Sequence, residues 1–318
     1  MPEPTLADVH VDAALTDFSS AFFLDQDSFT WSRFAPIRGV GKQSDKYHVW
    51  DRADFFRTEA RKRAPNTEAA VRGAKLSQAS YYCDVYAIAF DVSEQIRANS
   101  DPAVDVEESA ARLLAQDLNL RAELDAASAF LDTASVWGTD QTITTKWADA
   151  ASTPIENITT GIKTVAKAIG RRPNTLLLGG DVWYDGLLNH PDIIARLPDN
   201  APRIASIDFV ANLLGLSQVL VVAAPYNSAD EGATASVGFA GGKNAVVAYV
   251  DPAPGLASPT AAVSFSWTGL VGASPAGIRT KRMMIPYKDA LPRIESDHAL
   301  DFKVVASAAG YRMAAAVA

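Results

Sequence analysis

Cysteine is nearly absent from this sequence, with Cys83 alone among 318 residues. A single cysteine excludes an intramolecular disulfide and any metal site built from several thiolates. In the β-like run YYCDVYAIAF it reads as a small buried hydrophobe. Histidine is scarce too: His10, His48, His190 and His298 are scattered, with no HxH or HxxxH spacing, so no zinc signature exists. A phosphate loop is missing. GFAGGKN (238–244) has glycines and a lysine without the Walker spacing, and AVVAYV continues it as strand where a phosphate cradle would open a helix. Asp181 and Asp185, at i and i+4, read as capping and solvated residues. The longest apolar stretch, Leu213 to Pro225, is interrupted by Ser217 and Gln218 and is too short to span a bilayer. The opening MPEPTLADVH is acidic and lacks the apolar core of a signal peptide. The net charge of −8 argues against a face dedicated to gripping DNA phosphates. These absences predict no metal, no cofactor, no membrane span and no identifiable catalytic group.

What is present is enough apolar sequence, 48% of residues, to bury a sizeable core across about two domains. Residues 1–38 carry Phe18, Phe22, Phe23, Phe29, Trp31 and Phe34 with little periodicity. That is too aromatic for a disordered tail and too short for a core of its own. Such an arm docks elsewhere, in cis or on a neighbour, and extended at ~3.3 Å per residue it would reach roughly 100 Å. KYHVWDRADFF and KLSQASYYCDVYAIAFDV then read as the strands of a hairpin. Its long polar tip is basic, with Arg57, Arg61, Lys62, Arg63, Arg72 and Lys75. A lone two-stranded ribbon is marginal in water, so an extended one implies a partner surface. The alternative is a solvated basic loop on an ordinary domain.

From Val104 to about Asp132 the apolar spacing of Val106, Ala110, Leu113, Leu120, Leu124, Ala127 and Leu131 predicts a helix of roughly 40 Å. Its acids (Asp105, Glu107, Glu108, Asp117, Glu123, Asp125 and Asp132) outnumber Arg112 and Arg121. Pro154 opens a second helix, Ile155 to Ile169, that Gly170 ends. In RPNTLLLGGDVWYDGLLNHPDI, a strand at Thr175 to Leu178 meets Gly179-Gly180. Asp181 is placed to cap a helix, with Pro191 closing it. A helix from Ile207 to Leu214 ends at Gly215, strands follow at Val219 and Ala245, and residues 251–255 break the chain. AAVSFSW, IRTKRMMIPY and LDFKVVASAAGYRMAAAVA read as further β segments. The fold class is α+β.

In this order (arm, extended hairpin, long helix, α/β middle, β return) the chain resembles the major capsid proteins of tailed bacteriophages, the Hong Kong 97 phage fold. RPNTLLLGGDVWYDGLLNHPDI is similar to the family's strand and helix entering the A domain. LSQVLVVAAPYN with GFAGGKNAVVAYV resembles its central strands, and DFKVVASAAGYRM its closing P-domain strand. The resemblance implies an N-arm at 1–38, an E-loop at 39–80, and a P domain with spine helix at 81–150. An A domain at 151–255 and P-domain strands at 256–318 complete it. It also implies self-assembly as hexamers and pentamers into an icosahedral shell around double-stranded DNA, held without sequence-specific binding. The shell would form in the host cytoplasm. Implied partners are a portal protein and a decoration protein. Met1 stands about 38 residues before the hairpin, leaving no room for the helical scaffold domain of many members, so a separate scaffolding protein, or none, is expected. The expected intersubunit contacts are Arg57, Arg61, Lys62 and Arg63 against Glu107, Glu108, Asp117 and Glu123, with Phe22, Phe23 and Trp31 as arm anchors. An encapsulin-like nanocompartment shell, an α+β enzyme with an unidentified site and a phage accessory structural protein stay open as alternatives.

Overall fold

The computed structural model describes residues 29–50, 56, 58–63, 65–69, 71, 73, 76–91, 106–198, 202–230, 232–253, 260–271, 278–285 and 291–318. A single helical turn α1 (Trp31–Phe34) leads into β1 (Ile37–Val40), then β2 (Ser44–Trp50), β3 (Leu76–Tyr82) and β4 (Asp84–Asp91). The long helix α2 (Val106–Ala127) ends in a π-helical turn, Ser128–Asp132, and β5 (Thr139–Thr142) follows. The middle of the chain holds α3 (Pro154–Ile169), β6 (Thr175–Gly179), a π-helical segment Val182–Leu187, α4 (Pro191–Ile194), α5 (Ile207–Leu214) and β7 (Gln218–Val222). Next come β8 (Pro225–Asn227), β9 (Val237–Phe239), β10 (Ala245–Ala248), β11 (Ala262–Trp267), the turn α6 (Thr268–Val271), β12 (Ile278–Ile285), β13 (Leu291–Val304) and β14 (Gly310–Ala314).

The middle sheet runs β5-β14-β10-β6-β7. β6 (TLLLG) and β10 (AVVA) have no polar face because both of their faces are covered, and every residue of both is buried. Leu176 and Leu178 point into one core with Ile158, Ile162, Val165, Trp183 and Val210, while Leu177 points into another with Phe34, Phe130 and Trp137. The helix ends expected at Pro154, Gly170 and Gly215 are observed, and Ser206 adds a cap. α3 starts at Pro154 and ends on Gly170 at φ +69°; in α5 the Ser206 hydroxyl accepts from Phe209 N, and Gly215 takes φ +62°. The glycine-rich loop before β10 is a packing device. A Cβ on Gly179 would lie 1.7 Å from the Gly242 carbonyl oxygen, so only two bare backbones pass there.

The other large sheet is organised by β13, which pairs with β12 along one edge at Leu291–His298, with β11 beyond it, and with β4 on the other edge. β1 adds to β11 in parallel. α2 lies over this sheet, burying Ala110, Leu114, Leu118, Ala122, Ala126 and Phe130. Ala110, Ala127 and Leu131 of the predicted stripe are buried, but the inward row also takes Leu114, Leu118 and Ala122 at four-residue spacing. Leu113, placed inward by sequence, is 48% exposed. A row at i, i+4 drifts around a 3.6-residue helix, and so tracks a twisted sheet rather than a straight seam.

Several other local expectations are corrected. YYCDVYAIAFDV is two strands, broken at Cys83, with β3 pairing only β2 and β4 pairing β13. Asp181 makes no side-chain cap, and the segment after it is π-helical. Pro191 opens a helix instead of closing one, with the His190 ring accepting from Asp192 N. DFKVVASAAGYRM is also split: its first part ends β13, while GYRMA forms β14 between β10 and β5 in the middle sheet.

Candidate assembly surfaces

The arm enters the described chain already anchored. Thr30 N and Trp31 N each donate to one oxygen of the Glu123 carboxylate at 2.9 Å, and the Thr30 hydroxyl donates to the other at 2.6 Å. The carboxylate thus takes the free amides that begin α1, where a negative charge is favoured. Glu123 is fully buried, and burial raises its pKa against the pull of those three donors. Around it, Trp31 meets Phe302 edge-on at 5.8 Å, while Phe34 packs on Phe130 at 5.3 Å and on Trp137 at 6.3 Å. Trp31 and Glu123 were both expected to face a neighbour. Each is instead engaged inside its own subunit, because a carboxylate so deep needs donors and the arm supplies them. Phe22, Phe23 and Arg57 lie outside the described residues.

Arg312 locks the same region from the other side. Its guanidinium bonds both oxygens of Asp140, at 2.9 and 2.8 Å, and donates to the carbonyls of Leu131 and Asp132. The last turn of the long helix, β5 and β14 therefore share one buried cation.

The hairpin stands apart. β2 and β3 pair in register from Ser44↔Tyr82 to Trp50↔Leu76 and join no other sheet. The base is packed on the large sheet: Tyr81 stacks on Phe265 at 4.7 Å, Tyr47 lies 5.5 Å from the same ring, and Tyr82 N donates to Asp301 at 2.9 Å. Farther out, Phe56 in the loop borders a cavity beside α3, next to Gly170. Cys83, at the pivot, is buried with its sulfur 3.6 Å from the Phe265 carbonyl oxygen, and burial pushes the thiol up to about 12. Beyond the base, Arg61, Lys62 and Arg63 are exposed. Asp117 is exposed on α2; Glu107 and Glu108 belong to its first turn by backbone alone.

Among the described residues, the exposed apolar side chains include two groups. One is the root of the hairpin and β4, with Tyr82, Val85 and Phe90. The other is the small β8–β9 ribbon, where Tyr184 stacks on Phe239 at 5.4 Å and Val237 is exposed.

Chemistry is harder to find. His190 Nε2 lies 2.9 Å from the Ser152 hydroxyl, the distance of a nucleophile–base pair. Its Nδ1, however, accepts the Asp192 backbone amide, so the proton sits on Nε2 and the ring cannot take one from Ser152. A cavity of about 410 Å³ beside α3 is lined by Thr139, Thr164, Val165, Lys167 and Ala168, and a smaller one of about 170 Å³ by Gln141, Thr144, Ser152 and Asn157. No carboxylate, cysteine or histidine lines either cavity. Among the described residues no group of three or more His, Cys, Asp or Glu is set to hold a metal, and no helix is long and apolar enough to cross a membrane.

The described residues thus show a two-stranded ribbon set apart from the two large sheets and an arm root anchored on Glu123. The chain has the Hong Kong 97 phage-type major capsid fold. It is 24% identical over 245 residues to the major capsid protein of Burkholderia phage BcepMu, covering 76% of each chain. A crystal structure of a phage-related protein from Bordetella bronchiseptica RB50 superposes with a TM-score of 0.70 at 18% identity, covering 92% of this chain and 93% of that one. The capsid of cyanophage P-SCSP1u gives 0.58 at 12% identity, covering 92% and 89%. No family model matches the sequence.

Proposed function

We propose that this chain is the major capsid protein of a tailed phage, building the head shell that encloses its double-stranded DNA. The observation that carries this reading is the capsid fold shared over nearly the whole chain, together with a two-stranded ribbon that pairs with no other described strand. A two-stranded ribbon cannot hold itself, so its stability comes from the surface on which it lies, and in a shell that surface is another subunit. The assembly is a closed set of hexamers and pentamers, made in the host cytoplasm and retained in the virion. A portal protein occupies one vertex, a separate scaffolding protein guides assembly, and a decoration protein can coat the outside. The role is mechanical and not catalytic. The inner face carries no phosphate grip, in keeping with the net charge of −8.

Between subunits, the basic tip with Arg57, Arg61, Lys62 and Arg63 lies over the acidic face of a neighbour's long helix, at Asp117 and the Glu107–Glu108 turn. Glu123 takes no part in this contact, being occupied by the arm. Phe22 and Phe23 are the arm's contacts to a neighbour in this reading, while Trp31 belongs to its own subunit.

Electron microscopy of the purified chain, alone and co-expressed with a scaffold, tests the proposal. Closed shells are expected. A compact monomer at high concentration, with a radius of gyration near ~20 Å and no particles under either condition, overturns it.

A further inference from the structure

We infer that His298 makes the seam between α2 and β13 acid-sensitive: protonation of its imidazole loosens the helix from the sheet. The inference concerns the subunit itself and does not depend on shell assembly. His298 is 1% exposed, and both ring nitrogens are buried without a hydrogen-bond partner. A neutral imidazole presents one donor and one acceptor, so two orphaned nitrogens are an unfavourable way to fill this position. An apolar side chain of similar volume would avoid the cost. What the histidine adds is a charge state.

The surroundings favour the neutral form and give the charged form no counter-ion. From β4, Tyr86 sits directly across the strand pair with its ring edge-on at 5.3 Å. Asp84, one pair further along on the same face, is exposed and opposite Leu300. From β12 the cross-strand neighbour is Ile278, and along β13 the residues on the same face are Ser296 and Leu300. From α2 comes a cation, Arg121, whose guanidinium lies over the Tyr86 ring at 4.9 Å and donates to its hydroxyl. The helical acid Asp125 is bound to that arginine at 2.9 Å. Asp297, adjacent in sequence, alternates to the opposite face, where Arg279 and Lys281 hold it. A proton on His298 therefore meets Arg121, and the one acid on that face, Asp84, lies out at the exposed surface.

Burial, with Arg121 second, lowers the His298 pKa from 6.5 to about 4. The unfolded or opened chain thus binds this proton between pH 6.5 and 4 while the closed one does not. The stabilisation is complete above 6.5 and is lost as pH falls through that window. The ratio of open to closed seam should rise on the order of tenfold per pH unit across it.

Hydrogen–deuterium exchange of the full chain, corrected for intrinsic rates, reads this directly. Peptides covering 110–122 and 294–300 should exchange at least about tenfold faster at pH 4.5 than at 6.5, and His298→Phe should flatten that rise. The same acid acceleration in the variant overturns the inference. Should the variant not fold, histidine-selective NMR of the wild-type chain decides. One imidazole staying neutral down to the pH at which the seam opens supports it, and all four titrating near 6.5 in the closed state overturn it.

Discussion

β6 and β10 are buried from end to end, whereas β2 and β3, though longer, bury Tyr81 and expose most of the rest. The middle sheet satisfies its apolar side chains and backbone inside one subunit, while the hairpin satisfies its backbone and leaves most of its described side chains exposed. The lesson is that secondary structure and stability separate in this chain. Strand pairing gives the hairpin a shape, and among its described strand residues the burial is at the root, on the Phe265 ring. Substitutions in the middle region should therefore be felt by the isolated subunit, and substitutions in the hairpin by the assembly.

The largest effect is expected at Arg312. Replacing it by alanine strands Asp140 and two carbonyls and should cost about 3–5 kcal/mol, measured by urea denaturation of the free subunit. Phe34→Ala comes next. The ring is wholly buried between Phe130 and Trp137, and its loss should cost about 3–4 kcal/mol. A change below about 1 kcal/mol would mean that the root of the arm belongs to a neighbour rather than to its own subunit.

Acid should then divide the molecule in a third way. Glu123 has a pKa raised from 4.5, so its share of stability is complete below 4.5 and is lost as pH rises through the folded value. His298 has the opposite sign. Amide exchange at 29–35 should not accelerate between pH 6.5 and 4.5 while that at 110–122 does; parallel acceleration would show one cooperative unit. The smallest effect on the subunit is expected from reversing Arg61 and Lys62 to glutamate. Its free stability should change by less than about 0.5 kcal/mol, while particle yield falls, more so at low salt. A destabilised subunit with undiminished particle yield would place the tip on its own chain.

Much of the middle region was legible in the sequence because its signals are local. Pro154, Gly170 and Gly215 mark helix ends by backbone preference, and TLLLG and AVVA announce buried strands. β13 was legible only at its end. Its first half, LPRIESDHAL, alternates charges that look like a loop until Arg279, Lys281 and Arg293 are seen pairing with Asp297, Glu295 and Asp91 from adjacent strands. Those pairings are long-range and leave no local trace. The basic hairpin tip was legible as a solvated or partnered loop for the same local reasons. Glu123 was not, since one acid among many on α2 carries no sign that Thr30 will come to meet it from 93 residues away. The four-residue row beneath α2 was hidden as well, because Leu113 and Leu114 are indistinguishable until the twist of the sheet selects one.

The break at Cys83 has a mechanical consequence. The chain passes from β3 to β4 across one residue, and Tyr82 N is tied to Asp301, so the ribbon is a lever fixed to the edge of β13. Seven residues at ~3.3 Å each give it an arm of about 23 Å. A tilt of about 10° at the pivot would then carry the far end of the strands by roughly 4 Å, about one strand spacing. Lattices of different curvature could thus be accommodated by a small rotation at one buried thiol, without disturbing the sheet behind it.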